Sequence, residues 1–243
     1  MLNYMKIRLS SIIKKVLSKI NIIVFGKPRF KQELLIRKAL IEKGFKLRKL
    51  KIICDHNLGI NYVNGIKLGI KYPDSFYYEA TKLIPVNKSL NYYFNGNTAE
   101  SGKRSVLLKP FKNLKGSKII SSNEGRVQKN KNKFNYNYFQ TFAEAKLGLC
   151  PHQADWEGDL DHMWTHRFIE SCFVESIPIL FQAAPLGEKF IHGFNYYWDY
   201  EVLNGSFNLN DPNYDKEIAK SNRFLAERMF CLTEDECKLI SAT

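Results

Sequence analysis

Apolar positions recur along this chain with two periods, and the change from one to the other lays out its elements. Over 29–43 (RFKQELLIRKALIEK), Leu34, Leu35, Ala39 and Leu40 fall on one side of a helix that Gly44 ends. Short apolar runs bounded by Gly, Pro, Asn or Ser read as strands. They are 20–25, closed by Gly26-Lys27-Pro28; a stretch within 45–54 centred on Leu50, Ile52 and Ile53; the aromatic run 91–97, closed by Gly96-Asn97; 118–122; 147–150; and 177–180. Helices are predicted at 138–145, around Arg167 and Glu170, and at 214–230. Lys103, Arg104, Lys109 and Lys112 lie on another helix or its approach. Leu2, Met5, Leu9, Ile12, Ile13, Val16, Leu17 and Ile20 also repeat at helical spacing, with five basic residues between them.

The densest stretch runs from 147 to 180. A buried strand ends at Cys150-Pro151, a loop rich in His, Asp and Trp follows, then a helix with Arg167 and Glu170, then the strand 177–180. Strand, loop, helix, strand is the unit of a parallel sheet, which binds ligands beyond the carboxyl ends of its strands. A smaller strand, helix, strand pattern opens the chain. Between 58 and 90, Pro73 and Pro85 break the pattern, and Gly59, Gly65 and Gly69 lack the spacing of a dinucleotide fingerprint. The fold class expected is α/β. Three parts are expected: a basic amphipathic helix over 1–18, a small α/β domain over 19–88, and a larger Rossmann-like domain over 89–243. The aromatic tail (Tyr196, Tyr197, Trp198, Tyr200) and its helix complete the core, with a helix crossing back to the first half.

Composition narrows the partners. The 243 residues are 44% hydrophobic and 14% aromatic, enough for a sizeable core, and carry a net charge of +13 that favours an anionic partner. Five cysteines without a CxxC pair fit a reduced, cytoplasmic setting as small core residues rather than a zinc site. No apolar run approaches the roughly 20 residues that span a bilayer. Charges interrupt the apolar part of 1–25, which does not read as a secretory signal. That segment is either a helix lying on an anionic membrane or a first helix packed on the domain.

Candidate chemistry sits at strand ends. Arg126 follows the 118–122 strand, Arg167 opens the helix after 147–150, and Arg104 and Lys109 precede 118–122. A guanidinium suits phosphate because it donates two parallel hydrogen bonds. The bland reading, a solvated surface charge, holds for most of the 37 basic residues. Glu170, one turn after Arg167, either accepts from a ligand's hydroxyls or pairs with Arg167 for a few tenths of a kcal/mol. The loop at His152 offers polar groups and a stacking surface in Trp156. His162 and His166 are four apart, without a glutamate in an HExxH arrangement. Asp55 and His56 end an early strand. Either one accepts a proton from an attacking hydroxyl, or the segment caps a helix beginning near Asn57.

Leu149-Cys150-Pro151, Arg167-Phe168-Ile169-Glu170 and Ser176-Ile177-Pro178-Ile179, with Phe94-Asn95-Gly96-Asn97 and Arg104 before them, resemble the donor half of exostosin-like glycosyltransferases. The resemblance covers about 91–185. It implies a GT-B plan of two Rossmann-like halves with parallel sheets, here with a reduced amino-terminal half. It also implies inverting, metal-independent transfer of a sugar from a nucleotide donor, with no cofactor; the leading reading adds a surface-glycan or lipid-linked acceptor at the inner membrane face, where the basic first helix would hold the protein. Arg167 and Glu170 become the diphosphate and ribose contacts; Arg104, Lys109, Arg126 and His152 join them, and Asp55 or His56 serves the acceptor. Glu175-Ser176 stands where the family has Gly-Cys, which would alter a turn near the donor. The alternative is a non-catalytic nucleotide-sugar or glycan-binding protein of the same fold. Nucleic-acid binding rests on charge alone, since the aromatic-plus-basic patterns of RNA modules are absent.

Overall fold

A computed structural model describes residues 31–55, 60–98, 103–122, 125, 133–151, 165–181, 193–205 and 207–243, the side chains of Lys31, Gln32, Asp55 and Lys103 aside. The expected helix 1–18, the expected strand 20–25, His56, Arg126 and His152 lie outside the described residues.

The apolar runs of the second half pair side by side. Strands β4 (Leu90–Gly96), β5 (Ser117–Ser121), β6 (Ala145–Leu149), β7 (Ile177–Leu180) and β8 (Tyr197–Trp198) form one sheet in the order β5-β4-β6-β7-β8, every pair parallel. Counted from β4, this is the 2-1-3-4-5 order of a doubly wound, Rossmann-like sheet. Side chains alternate, except that Ala145, in phase with Leu147 and Leu149, joins the other layer. Tyr92, Phe94, Leu147, Leu149, Ile177 and Ile179 enter one core layer, while Tyr93, Ala145 and Leu180 enter the other.

Helices fill both layers. Helix α3 (Lys103–Leu108) and the 3-10 turn Lys109–Phe111 bring Leu108 and Phe111 to the first, with Val202 from α6 (Asp199–Asn204). Helices α4 (Tyr136–Ala143) and α5 (His166–Phe173) pack Phe139, Phe142, Ile169 and Phe173 on the other. The chain therefore leaves β4 toward β5 over one face and returns to β6 over the opposite face. Between the carboxyl ends of β4 and β6 this reversal opens a crevice, the usual ligand position of such sheets.

The amino-terminal part corrects an expectation. After α1 (Lys31–Glu42), strands β1 (Ile52–Asp55), β2 (Ile60–Val63) and β3 (Ile66–Gly69) form an antiparallel meander, not a second parallel sheet. The reason is local. Asn64 (φ 50°) and Gly65 (φ 84°) make the two-residue turn that joins antiparallel strands with their natural twist. Asn57 lies outside the described residues; from Ile60 on, where the expected helix would run, the chain is strand β2. As expected, the tail crosses back. Helix α7 (Lys216–Phe230) completes the sheet core, and α8 (Glu234–Ser241) puts Ile240 against Ile36, Leu40, Val63 and Leu68. Helix α2 (Asp74–Thr81) joins the two parts through Phe76, Tyr77 and Ala80.

Glu175 is a second correction. It holds φ 54°, a left-handed position that favours glycine, so a glutamate there carries backbone strain. It is held by Arg223 at 2.9 Å and by the Tyr214 hydroxyl, which donates to its carbonyl at 2.7 Å. This turn leads into the amino end of β7, the end of the sheet opposite the crevice, so it shapes the frame and not a donor turn.

Lys88 ties the same end together. Its Nζ donates to the carbonyls of Ala143 (2.7 Å) and Val174 (2.8 Å), the last turns of α4 and α5, where orphan carbonyls favour a cation. Burial, only partly offset by Glu175, pushes its pKa down to about 7. Between that value and the ordinary lysine range near 10, the unfolded chain binds the proton more tightly, so this group makes stability rise with pH. Lys88→Gln removes that slope. Chemical denaturation of parent and variant from about pH 7 to 10 should show the parent gaining on the variant, by at most about 1.4 kcal/mol per pH unit.

Candidate functional site

The crevice is built from the last residues of β4 and the first turns of α3 and α5. Phe94 points into the first core layer, Asn95 away from it, and Gly96 ends the strand. Arg167, second in α5, starts on the opposite face and crosses the end of β4. Its Nε donates to the Asn95 carbonyl at 3.0 Å, and its guanidinium lies 4.5 Å from the centre of the Phe94 ring. Gly96 permits the crossing: a Cβ there would sit 1.7 Å from Arg167 Nη2. The sequence marks Gly96 only as the close of a strand; the neighbour that needs the space is 71 positions away.

Arg104, second in α3, approaches the same ring from its own side. Its Nη1 donates to the Asn97 carbonyl at 2.8 Å, and its guanidinium is 5.7 Å from the ring centre. The residue is only 7% exposed, and its Nε has no hydrogen-bond partner among the described residues. Asn95 Oδ1 is likewise buried without one. Burial, and then the positive charge of Arg167, push the Arg104 guanidinium well below its ordinary range, to about 9. Among the described residues no carboxylate forms an ion pair with either arginine. Two like charges, one buried and one half-buried, share one aromatic ring, an arrangement that an anion would relieve. Helix α5 adds the partial positive charge of its amino end, where the Thr165 hydroxyl already caps the Arg167 amide.

Glu170 does not face the crevice, which corrects the ribose-contact expectation. It is fully buried, and its two oxygens accept from the hydroxyls of Tyr72 (2.9 Å) and Tyr138 (2.5 Å). The physical reason is that α5 lies on the sheet with Glu170 on its covered side, enclosed by aromatic rings of α4 and of the segment before α2. The Tyr72 hydroxyl also meets His166 Nδ1 at 2.9 Å, so His166 is tied to this network. Among the described residues no group of side chains could hold a metal ion. Sequence reasoning missed Tyr72 because its partners stand 94 and 98 residues away.

Lys109 is also corrected. It is exposed and begins the 3-10 turn after α3, at the end of the crossover that returns toward the start of β5. Asp55 belongs to the meander, at the end of β1. Cys150, at the end of β6, is a core residue: burial holds its thiol well above the usual range, and its Sγ lies 3.4 Å from the Gly148 carbonyl. All five cysteines are free. No helix among the described residues is long and apolar enough to cross a membrane. No protein-family model matches the chain, and no curated protein matches it in sequence.

Gly96→Ala separates site from fold. The added methyl collides with the far end of a flexible side chain, so the melting temperature should hardly move while Arg167 is displaced from β4. Calorimetric titration with pyrophosphate should show anion affinity falling by about tenfold or more, against a parent that binds.

Proposed function

We propose that the protein is a glycosyltransferase that takes its sugar from a nucleoside diphosphate carrier. The observation that carries this reading is the convergence of Arg104 and Arg167 on Phe94 at the reversal point of a 2-1-3-4-5 sheet. Sugar transfer from such a donor leaves a diphosphate whose charge grows as the bond to the sugar breaks, and fixed cations in a partly dry crevice stabilise that charge. The Leu149-Cys150-Pro151, Arg167-Phe168-Ile169-Glu170 and Ile177-Pro178-Ile179 elements support the exostosin-like assignment within this class.

In this reading β4–β8 form the donor half of a GT-B plan, and the residues before β4 stand for a reduced acceptor half. Arg104 and Arg167 hold the diphosphate, with Arg126 and His152 as further donor contacts. Glu170 acts indirectly, by fixing the first turn of α5. Asp55 and His56 keep the proton-accepting role toward a surface-glycan or lipid-linked acceptor. As the resemblance implies, transfer is inverting and metal-independent; the basic segment 1–18 would hold the protein at the inner face of the cell membrane. The enclosure of Glu170 favours one other reading, a nucleotide-sugar-binding protein without turnover, since a ribose contact expected of the enzyme is occupied inside the protein.

The test is a thermal-shift screen against UDP, GDP, CMP and their sugar conjugates, because a ligand of the native state raises the melting point. One nucleotide should stabilise the protein. Arg167→Ala and Arg104→Ala should each weaken it by roughly 10- to 150-fold, the worth of one charge-assisted hydrogen bond at about 1.5–3 kcal/mol. If no nucleotide shifts the melting point, the donor reading fails. Binding without release of free nucleotide from any sugar conjugate selects the non-catalytic alternative.

A further inference from the structure

We propose that the outer face of the β1–β3 meander, with the turn that leads into it, is a docking surface for an anionic lipid membrane. The charge distribution is lopsided. Residues 43–73 contain Lys43, Lys46, Arg48, Lys49, Lys51, Lys67 and Lys71, and Asp55 is their single acidic residue. Two of the seven are used inside the protein. Lys43 pairs with Asp74 at 2.6 Å, and Lys71 is buried against Glu236 at 2.7 Å and the Met229 carbonyl at 2.9 Å. The other five are exposed and form no ion pair with a described residue.

The fold places those five together. Along the 3-10 turn Leu47–Lys49, Leu47 and then Leu50 turn inward to the core shared by α1, α8 and the meander, which leaves Lys46, Arg48 and Lys49 outside. In the ladder, Ile52 and Val63 face that same core. Alternation then puts Ile53, Tyr62 and Lys67 in one row across the opposite face, in register with one another, and Lys51 beside Ile53 along β1. Ile53 is 50% exposed on β1, an edge strand of this face.

A sheet face that shows cations around a half-exposed isoleucine and a tyrosine matches a bilayer surface. The cations meet anionic headgroups, and the apolar and amphipathic side chains reach the interface just below them. Nucleic acid is the weaker match, because the face offers Tyr62 as its one described aromatic. The surface is independent of the arginine crevice and of the donor reading.

The full chain is sedimented with phosphatidylcholine vesicles with and without phosphatidylglycerol. It should bind only the anionic vesicles. Each basic residue near such a surface contributes a factor of about five. The combined variant Lys46→Gln, Arg48→Gln, Lys49→Gln, Lys51→Gln should therefore weaken partitioning by nearly three orders of magnitude, with an unchanged melting temperature. Ile53→Ser should weaken it severalfold, and Lys67→Gln, on another strand of the same face, about fivefold. Arg104→Ala and Arg167→Ala should leave it unchanged, which keeps this result separate from that of the nucleotide screen. The proposal is overturned if the parent ignores anionic vesicles, if the fourfold variant or both single variants partition like the parent, or if the substitutions abolish binding to a single-stranded polynucleotide while lipid binding stays.

Discussion

A parallel sheet needs cover on both faces, because its crossovers carry helices over them and its strands have no wet side. The described structure follows from meeting that need at β4. Tyr92 and Phe94 face one layer and Tyr93 the other, and all three are essentially inaccessible to solvent. Helices must lie on both sides, so the chain reverses its winding at this strand. The reversal leaves the carboxyl ends of β4 and β6 without a crossover between them. An opening there is a consequence of winding, and the residues at its rim are free to be chosen for chemistry rather than for packing.

Electrostatics then divides neighbours on one helix. Arg167 and Glu170 are a turn apart, yet they serve different places. The arginine is long enough to cross the end of β4 where Gly96 leaves room, and rests on Phe94 beside Arg104. The shorter glutamate stays under the helix, where two tyrosine hydroxyls replace the water it has lost. A buried carboxylate with its oxygens satisfied stiffens the turn that carries the arginine, whereas the arginines together remain electrostatically incomplete. Among the described residues, the buried Glu170 has hydroxyl partners, whereas the two arginines have no carboxylate partner.

The amino-terminal part is joined to this frame by polar anchors as well as by packing. Tyr72 reaches from the chain after β3 into the network under α5. Lys71 binds the carbonyls of Met229 and Cys231 at the end of α7 and pairs with Glu236 of α8. These links hold the meander with its inner face against α1 and α8 and its basic face outward. Glu175 and Lys88 brace the far end of the sheet in the same way, each joining segments distant in sequence.

Much of this was legible in the residues. Each expected strand from 91 to 180 has its counterpart within two residues, because buried parallel strands are written as short continuous apolar runs. The helix 216–230 and the carboxyl-terminal return to the first half follow from amphipathic spacing. Arg104 and Arg167 were recognisable as cations at strand ends. What the residues did not reveal was direction and company. The antiparallel meander was not legible, because the alternation of a short strand is the same in both kinds of ladder; the Asn64-Gly65 turn sets the direction of β2 and β3. Arg167 and Glu170 looked like partners because helical spacing reports proximity along one element, whereas burial depends on what the rest of the chain lays over it. Local periodicity belongs to the sequence alone. Which charge is enclosed by Tyr72 and Tyr138, and which is left at an open crevice, is set by contacts between residues tens of positions apart, and only the assembled layers contain that information.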